Sequence, residues 1–377
     1  MHDVVVVGAG PAGAIAATVL ARAGARVLVL ERARFPRSKL CGDTLNPGAL
    51  AILARLGLSG VVAGGLPLDG MVVTGGTGVR VVGRYGTERG VSLSRRVLDM
   101  ALVQAAAAAG AEIDEAVVVQ GAIVDSSAGA EAVGGVAVRR QDGTPRRVKA
   151  RLVIAADGRY SRVGRSLGLS RSAAHRRRWA IGAYFEGVEG LTTVGEMHVR
   201  RSRYIGVAPL PEGLANACVV APAMPGRSPE TFLLDALSTD PLLRERFASA
   251  RLVTGVACLG PLAVDCSAAG APGLLLAGDA AGFVDPMTGD GLRFAFRGGE
   301  LAALEALRAL DHEGIAHAHA RLAAARAGEF AAKWRFNRTL RLLVAYPGAV
   351  RAAGYAAALA PHVLRRAIQY AGDVHAA

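Results

Sequence analysis

Residues 1–32, MHDVVVVGAGPAGAIAATVLARAGARVLVLER, decide the fold of this chain. The run of four valines is short, β-branched and apolar, which is typical of a strand buried on both faces of a parallel sheet. Gly8, Gly10 and Gly13 follow it as G-x-G-x-x-G, and the alanine-rich stretch after them favours a helix. The sequence therefore predicts a strand, a tight turn and a helix at the start of an α/β domain.

The spacing of the three glycines is that of a dinucleotide-binding turn. Gly8 permits the turn, Gly10 lets the backbone approach a pyrophosphate, and Gly13 lets the helix pack close to the strand. The first helical turn, with Pro11 and Ala12, then points its N–H groups at the anion. A glycine-rich turn that serves only the packing of helix on strand is the alternative.

An acidic residue stands where a dinucleotide site needs one. The second predicted strand ends at Glu31, about 20 residues past the glycines, where a carboxylate can accept hydrogen bonds from an adenosine ribose. Arg32 follows directly, and we expect it to contact the cofactor as well. With the flanking strands, these residues predict a dinucleotide-binding domain.

Composition limits the classes of function. A chain of 377 residues predicts two domains, and 52% hydrophobic residues exclude a disordered chain. The net charge of +13 is spread along the sequence and aromatic residues make up only 5%, so we expect no nucleic-acid partner. Four cysteines without a C-x-x-C pair predict a reduced, cytoplasmic protein without a metal site. The oligomeric state is left open.

Two further strand-end turns make the pattern more specific. Asp157-Gly158 follows one strand-like run, and Gly278-Asp279 follows another. Either dipeptide alone is more often an ordinary turn. In chain order, the glycine turn, the R-x-x-L-D stretch at Arg95–Asp99 and the two dipeptides form a much more specific set.

This set resembles the FAD-dependent oxidoreductases of the para-hydroxybenzoate hydroxylase superfamily, and within it the geranylgeranyl reductase branch, which is related to FAD-dependent monooxygenases and flavin halogenases. The resemblance is most specific at K-x-C-G-D, Lys39–Asp43, and at DPMTGDG, Asp285–Gly291. It implies FAD as the cofactor and NAD(P)H as a transient reductant. It also implies a Rossmann-type FAD-binding domain with an inserted antiparallel β-sheet substrate domain and a helical C-terminus.

The predicted elements divide the chain in the same way. Short alternating strands between residues 179 and 221 predict the antiparallel sheet, and helices dominate from Gly291 onward. The predicted FAD-binding domain comprises residues 1–75, 91–165 and 255–325. The predicted substrate domain comprises residues 76–90 and 166–254, and residues 326–377 form the C-terminal helical region.

The resemblance assigns cofactor roles to individual residues. It implies that Glu31 binds the adenosine ribose, that Arg95 lies along the FAD and that Asp157 supports the cofactor region from its strand-end turn. Asp279 would accept hydrogen bonds from the ribityl or pyrophosphate portion of the FAD.

The predicted flavin loop follows the Gly278-Asp279 turn in the sequence. The backbone of this loop would approach the isoalloxazine, and its residues are Thr288, Gly289, Asp290 and Gly291. A helix that begins near Gly291 points its positive end at the ring edge where reduction places negative charge. Reduction of the flavin should thereby become easier.

Cys41 and Asp43 are the candidate catalytic residues. A single cysteine in a predicted interior is usually a small hydrophobic residue, which is the structural alternative. In the family that the chain resembles, this stretch lies near the flavin and the substrate tail. Both side chains are therefore candidates for lining the pocket or relaying a proton.

The chain departs from the family in the predicted sheet. Reductases of the branch carry a Tyr-x-Trp-x-Phe-Pro stretch where this chain has YIGVAPLP at Tyr204–Pro211, and the Trp-x-Trp-x-Ile-Pro element of the halogenases is missing. Three functions stay open. The first is reduction of a carbon–carbon double bond in an apolar small molecule, isoprenoid or polyketide-like, with hydride derived from NAD(P)H. The others are oxygen-dependent hydroxylation of an aromatic or polyketide ring and electron transfer to a partner protein.

The C-terminal region from Trp334 to Tyr370 mixes apolar runs with arginines. Pro347 and Pro361 interrupt the stretch that comes nearest to a membrane span. Helices that cover the FAD-binding domain are one interpretation of this region. A basic amphipathic surface that makes peripheral contact with the inner face of a membrane is the other.

Overall fold

The computed structural model describes residues 2–76, 78–125, 131–140, 142–172, 177–222, 226–283, 287, 289–311, 314–345 and 359–372. The helices are α1 Pro11–Arg22, α2 Pro47–Arg55, α3 Arg95–Ala108, α4 Arg162–Ser166, α5 Pro229–Ser238, α6 Gly291–Asp311, α7 Ala318–Ala345 and α8 Pro361–Ala371. The strands are β1 His2–Val7, β2 Val27–Glu31, β3 Thr44–Leu45, β4 Leu66–Leu68, β5 Gly70–Thr74, β6 Arg80–Arg84, β7 Gly90–Ser92, β8 Glu112–Glu115, β9 Val118–Asp125, β10 Ala132–Arg139, β11 Pro145–Ala155, β12 Ser170–Ser172, β13 Trp179–Glu186, β14 Val194–Arg200, β15 Arg203–Pro209, β16 Ala215–Ala221, β17 Arg251–Leu252, β18 Ala257–Leu259, β19 Val264–Cys266, β20 Gly270–Ala271 and β21 Leu274–Leu276.

The first sheet is the parallel sheet that the opening sequence predicts. Its main strands lie in the order β20-β21-β11-β1-β2-β8, and β1 pairs in parallel with β2 and β11. Val4 and Val6 belong to the core formed with α1 and α6, whereas Val5 and Val7 belong to the core formed with β9 and β10. The valine run is therefore buried on both faces, and the Rossmann-type α/β class is confirmed.

The second sheet has the strand order β17-β13-β16-β15-β14-β5-β6. Neighbouring strands are antiparallel except for β5 and β14, which pair in parallel. Helix α5 packs on one face through Leu233 and Leu237, which join Ile181, Ile205 and Val219 in one core. The other face looks toward the glycine turn of the first sheet. The inserted, mainly antiparallel sheet is confirmed.

The domain boundaries need a correction at two strands. Strand β5, Gly70–Thr74, lies within the segment predicted to belong to the FAD-binding domain, yet it pairs with β14 and β6 of the second sheet. Strand β18, Ala257–Leu259, also belongs to that sheet through β13. Both segments are short, and their own sequence does not show which strand they pair with. Strand pairing across a sheet depends on residues far away in the chain.

The C-terminal part of the described chain is helical, as predicted. Helix α8 packs on β6 through Ile368. A Cβ added to Gly83 of β6 would stand 2.4 Å from the Ile368 side chain. None of the described helices combines the length and the apolar composition needed to cross a bilayer.

Candidate active site

The three glycines of the opening turn have different structural roles. A Cβ on Gly8, which has φ +93°, would stand 2.6 Å from the Ala156 carbonyl oxygen, and a Cβ on Gly13 would stand 1.9 Å from the Gly8 carbonyl oxygen. These two glycines let β1, α1 and β11 approach one another. A Cβ on Gly10 would meet only the end of Arg37, at 3.7 Å, so Gly10 borders open space.

The N-terminus of α1 borders the same open space and has no side-chain cap. Helices α2, α4 and α5 are each capped by a side chain, from Asn46, Ser161 and Ser228 respectively. The first N–H groups of a helix lack partners within the helix, and their partial positive charge attracts an anion. The N-terminus of α1 is therefore suited to a phosphate group, as the sequence predicts.

Glu31 ends β2 at the edge of this cleft. Its buried carboxylate accepts hydrogen bonds from the N–H groups of Ala9, at 2.9 Å, and Ala33, at 3.0 Å. These bonds fix the carboxylate beside the glycine turn, and the exposed Arg32 lies next to it on the cleft wall. The ribose contact of Glu31 stays a prediction.

Asp157-Gly158 and Gly278-Asp279 meet beside the N-terminus of α1, and all but Asp157 line the same cavity as Gly10 and Ala12. Gly278 has φ +58° and lies close to Ala12, because a Cβ added to Gly278 would stand 2.8 Å from the Ala12 Cβ. Asp157 lies in the adjoining part of the cleft, and its Oδ2 accepts a hydrogen bond from the Arg162 N–H at 2.8 Å.

Two buried polar atoms near these turns have no hydrogen-bond partner, the Oδ1 of Asp157 and the Nη1 of Arg159. The Arg159 side chain is 10% exposed, and its Nη2 lies 3.5 Å from the Asp279 carboxylate. Burial raises the pKa of Asp157. Because buried polar groups normally have partners, these two atoms indicate that a polar ligand completes the site.

The flavin loop lies at the far end of the cavity. Gly289, with φ +70°, and Gly291, the first residue of α6, line the wall, and the first turn of α6 contains no acidic residue. Asp290 is buried, and its carboxylate accepts a hydrogen bond from Asn46 at 3.0 Å and pairs with Lys333 at 3.6 Å. The Asp290 side chain therefore fixes the loop. The predicted Thr288 lies outside the described residues.

Arg95 and Cys41 meet on the cavity wall. The Arg95 guanidinium is buried and makes two hydrogen bonds to the Asp99 carboxylate, at 2.7 and 2.8 Å, and Arg37 donates to the same carboxylate at 2.8 Å. The Cys41 thiol also contacts Arg95, yet burial outweighs that cation and raises the pKa of Cys41. Cys41 is therefore a neutral thiol beside a fixed positive charge.

Asp43 lies behind Cys41 and is completely buried rather than on the cavity wall. Its backbone has φ +54°, its Oδ1 accepts from the Arg95 N–H at 3.2 Å, and its Oδ2 accepts from the Asn216 amide at 2.5 Å. The Tyr184 hydroxyl contacts the same carboxylate. Burial raises the pKa of Asp43 to about 6. Asp43 thus joins the start of α3 to the second sheet and positions Cys41.

The opposite wall is the free face of the second sheet. Because side chains alternate across a strand, residues two apart share this face. The register aligns Cys218 of β16 with Gly182 and Gly206, and Met197 with Gly206. A Cβ on Gly206 would meet only backbone oxygens at 3.9 Å, so this glycine borders open space. The result is a trough with a floor of small residues and apolar sides. The sides include Met71, Met197, Val220, Leu259 and Leu262.

Several site residues were missed in the sequence. Lys39 belongs to the K-x-C-G-D motif, which predicts no role for it, yet its Nζ lies 3.9 Å from where a Cβ on Gly158 would stand, and burial lowers its pKa to about 8. The sequence patterns predict no role for Arg159 or Asn216. The one available signal was Asn216 itself, a polar residue within the apolar strand LANACVVA.

These residues fit FAD. The uncapped N-terminus of α1 would hold the pyrophosphate, with Lys39, Arg159 and Asp279 around it, and the cleft continues from Glu31 to the Gly289–Gly291 turn. The fold and the site define an FAD-binding flavoprotein. Residues 1–299 match the family described as FAD binding domain, so this chain belongs to that family and is an FAD-dependent oxidoreductase.

Reductases are among its similar proteins. Digeranylgeranylglycerophospholipid reductase 1 of Methanopyrus kandleri is 33% identical over 330 residues, which cover 82% of this chain and 82% of the relative. Menaquinone reductase of Mycobacterium tuberculosis is 32% identical over 371 residues, 92% of this chain and 84% of the relative. Conditioned medium factor receptor 1 of Dictyostelium discoideum is 30% identical across 84% of this chain, but the match spans only 65% of that protein.

Solved structures share the fold. A geranylgeranyl bacteriochlorophyll reductase-like protein of Thermoplasma acidophilum has a TM-score of 0.80 at 24% identity, covering 91% of this chain and 87% of its own. A flavin-dependent brominase has a TM-score of 0.85 at 21% identity, covering 98% of this chain and 93% of its own. A reductase-like protein and a brominase thus have the same architecture as this chain, and the fold alone does not select the reaction.

Proposed function

We propose that this protein reduces a carbon–carbon double bond in an apolar, polyprenyl-type substrate that lies in the trough between Cys41 and the second sheet. The observation that carries the proposal is the apolar wall of Met71, Met197 and Val220 facing the cofactor cleft across a floor of small residues. A long, narrow, apolar chain fits such a trough. The names of the two reductase relatives, which refer to digeranylgeranylglycerophospholipid and menaquinone, support this substrate class.

The reaction adds one hydride and one proton across the double bond. FAD, when bound and reduced by two electrons from NAD(P)H, supplies the hydride. The second carbon must then take a proton from a protein group or from water. The rest of the protein's task is to hold the double bond near the flavin loop and to keep the apolar trough dry.

Cys41 is the group that we propose as the proton donor. Its thiol is protonated at neutral pH, and the Arg95 guanidinium beside it would stabilise the thiolate that remains after transfer. Water that enters the cleft after the product has left would then restore the thiol. Cys218 lines the same cavity from the opposite wall, where burial, together with the nearby Cys41 and Asp43, raises its pKa to about 12. Cys218 is therefore a much poorer donor.

The test uses the purified FAD-loaded protein without oxygen. We expect protein reduced with excess NADPH to convert digeranylgeranylglycerophospholipid or menaquinone to a product that is heavier by two hydrogens. In deuterated water, mass spectrometry should show at least one deuterium per reduced bond, from the donated proton. Products that form only when oxygen is admitted would instead indicate hydroxylation. Flavin oxidation by a partner protein, without a small-molecule product, would indicate electron transfer.

The two thiols provide a matched pair of variants. Cys41→Ala should retain FAD but lower the turnover number at least tenfold and abolish its solvent isotope effect. Cys218→Ala removes the same chemical group from the same cavity and should leave both nearly unchanged. Equal turnover in the two variants would return Cys41 to a structural role.

A further inference from the structure

Helix α8 carries apolar side chains on two opposite faces. Ile368 on the inner face packs on β6, whereas Val363 on the outer face is 59% exposed. Tyr370 packs edge-on against Phe336 of α7, with ring centroids 5.1 Å apart, and is still 42% exposed. Leu359, just before the helix, is 87% exposed. The spacing of seven residues places Val363 and Tyr370 on one side of α8, and Leu359 precedes the first turn of that helix. The outer face is therefore an exposed apolar stripe, which a helix that serves only to cover the core does not need.

The sequence around this stripe is strongly basic. Residues 330–372 contain seven lysines and arginines and no aspartate or glutamate. Four of the arginines are exposed on the described parts of α7 and α8, and these are Arg335, Arg338, Arg365 and Arg366. An apolar stripe flanked by cations, without acidic residues, complements an anionic lipid surface. A protein partner would need a large acidic surface to match it.

The helix that carries the stripe lies close to the substrate trough. Ile368 on the inner face of α8 joins Met71 in one small core, and Met71 lines the cavity. The last carbonyl group of α8, from Ala371, accepts hydrogen bonds from Asn46 and Lys333, which also contact Asp290 of the flavin loop. One layer of side chains therefore separates the basic helix from the cavity.

We propose that α8, with the exposed arginines of α7, binds to the surface of an anionic phospholipid membrane. Leu359, Val363 and Tyr370 would enter the boundary between headgroups and acyl chains, and the arginines would contact lipid phosphates. An apolar substrate dissolved in that membrane would then have a short path to the trough. The surface contact does not depend on the proposed reaction, so the two proposals can fail separately.

The test is flotation of the FAD-loaded full chain with vesicles. We expect binding to vesicles of equal parts phosphatidylcholine and phosphatidylglycerol, weakening as salt is raised, and little binding to pure phosphatidylcholine. R365Q combined with R366Q should weaken binding at least tenfold while FAD absorbance stays unchanged. V363S should weaken it even at low salt.

The chain offers a matched control for the charge change. Arg146 and Arg147 are also adjacent, exposed arginines, but they lie in β11 of the first sheet. R146Q combined with R147Q should leave vesicle binding unchanged. The proposal is overturned if anionic vesicles do not bind the protein, or if both pairs weaken binding equally. It is also overturned if V363S changes only the self-association measured by sedimentation, since a second copy of the chain would then cover the stripe.

Discussion

One wall of the cavity is made of turns and helix N-termini, and the opposite wall is the face of a sheet. On the first wall, glycine is required where backbones touch, as at Gly13, whose Cβ would stand 1.9 Å from the Gly8 carbonyl oxygen. On the second wall, Gly206 borders open space, and a Cβ there would clash with nothing. The same residue type therefore allows close packing on the first wall and leaves open space on the second.

The largest expected effect is on the first wall. In Gly13→Ala the new Cβ meets a backbone oxygen that no rotamer change can move, so α1 must shift away from β1. We expect a loss of more than about 4 kcal/mol in the free energy of unfolding, or failure to fold, with loss of FAD. Urea denaturation and the ratio of flavin to protein measure both. Gly60→Ala, whose Cβ meets nothing within 4 Å, should behave like the wild type. Wild-type stability in Gly13→Ala would refute the close packing of this turn.

The next effect concerns a polar group on the same wall. Asp279→Ala removes the acceptor proposed for FAD without changing the backbone, and charged hydrogen bonds contribute about 1.5–3 kcal/mol. We expect FAD to bind the apoprotein about 10–150-fold more weakly by fluorescence titration. The exposed Asp265, replaced in the same way, is the control. Full flavin occupancy in purified Asp279→Ala would remove Asp279 from the cofactor site.

The first wall could be predicted from the sequence because its residues act locally. Gly8, Gly10 and Gly13 belong to one turn, and a backbone that must pass close to another backbone permits glycine alone. Asp157 and Gly278 follow buried strands that end at the same edge of a parallel sheet, so their proximity also follows from the pattern. The α/β class and a dinucleotide-binding domain were predicted on these grounds, and the family resemblance implied FAD as the cofactor; the α/β class and FAD are confirmed.

The second wall could not be predicted in the same way. Which residues of β14, β15 and β16 face the trough depends on sheet register, which is set by partners far away in the chain. Asp43 was proposed as a catalytic residue, but its carboxylate is covered by Asn216 and Tyr184, which follow it by more than 100 residues. The membership of β5 in this sheet was missed for the same reason. Non-local pairing, rather than composition, decides these features.

A smaller effect is expected where the two walls are joined. Both oxygens of Asp43 accept hydrogen bonds, one from the Arg95 N–H and one from the Asn216 amide. In Asp43→Asn, the new NH₂ group would face one of these donors and lower the free energy of unfolding by about 1–3 kcal/mol. Burial raises the pKa of this carboxyl from 3.8 to about 6, so the folded state binds its proton more tightly than the unfolded state. The resulting stabilisation is complete below pH 3.8 and is lost as the pH rises through about 6.

Urea unfolding across this pH range measures the effect. In the wild-type protein, the free energy of unfolding should fall as the pH rises, because the contribution of the Asp43 carboxyl is lost. Asp43→Asn should lack that part of the pH dependence. The exposed Asp265→Asn serves as the control and should keep the wild-type slope. If Asp43→Asn has the same slope as the wild type, the carboxylate is not the buried link between α3 and the second sheet.

The smallest expected effect separates the two walls most cleanly. Gly206→Val places a β-branched side chain in strand β15, where valine is favoured and where the space above the glycine is open, so FAD content and melting temperature should not fall. The added methyl groups would instead occupy the floor of the trough. We expect kcat/KM for the converted polyprenyl substrate to fall about tenfold, which is about 1.4 kcal/mol, with a smaller decrease in Gly206→Ala. If valine left kcat/KM unchanged while the protein kept its FAD, the substrate would have to bind elsewhere, and the face of the second sheet would be a structural wall only.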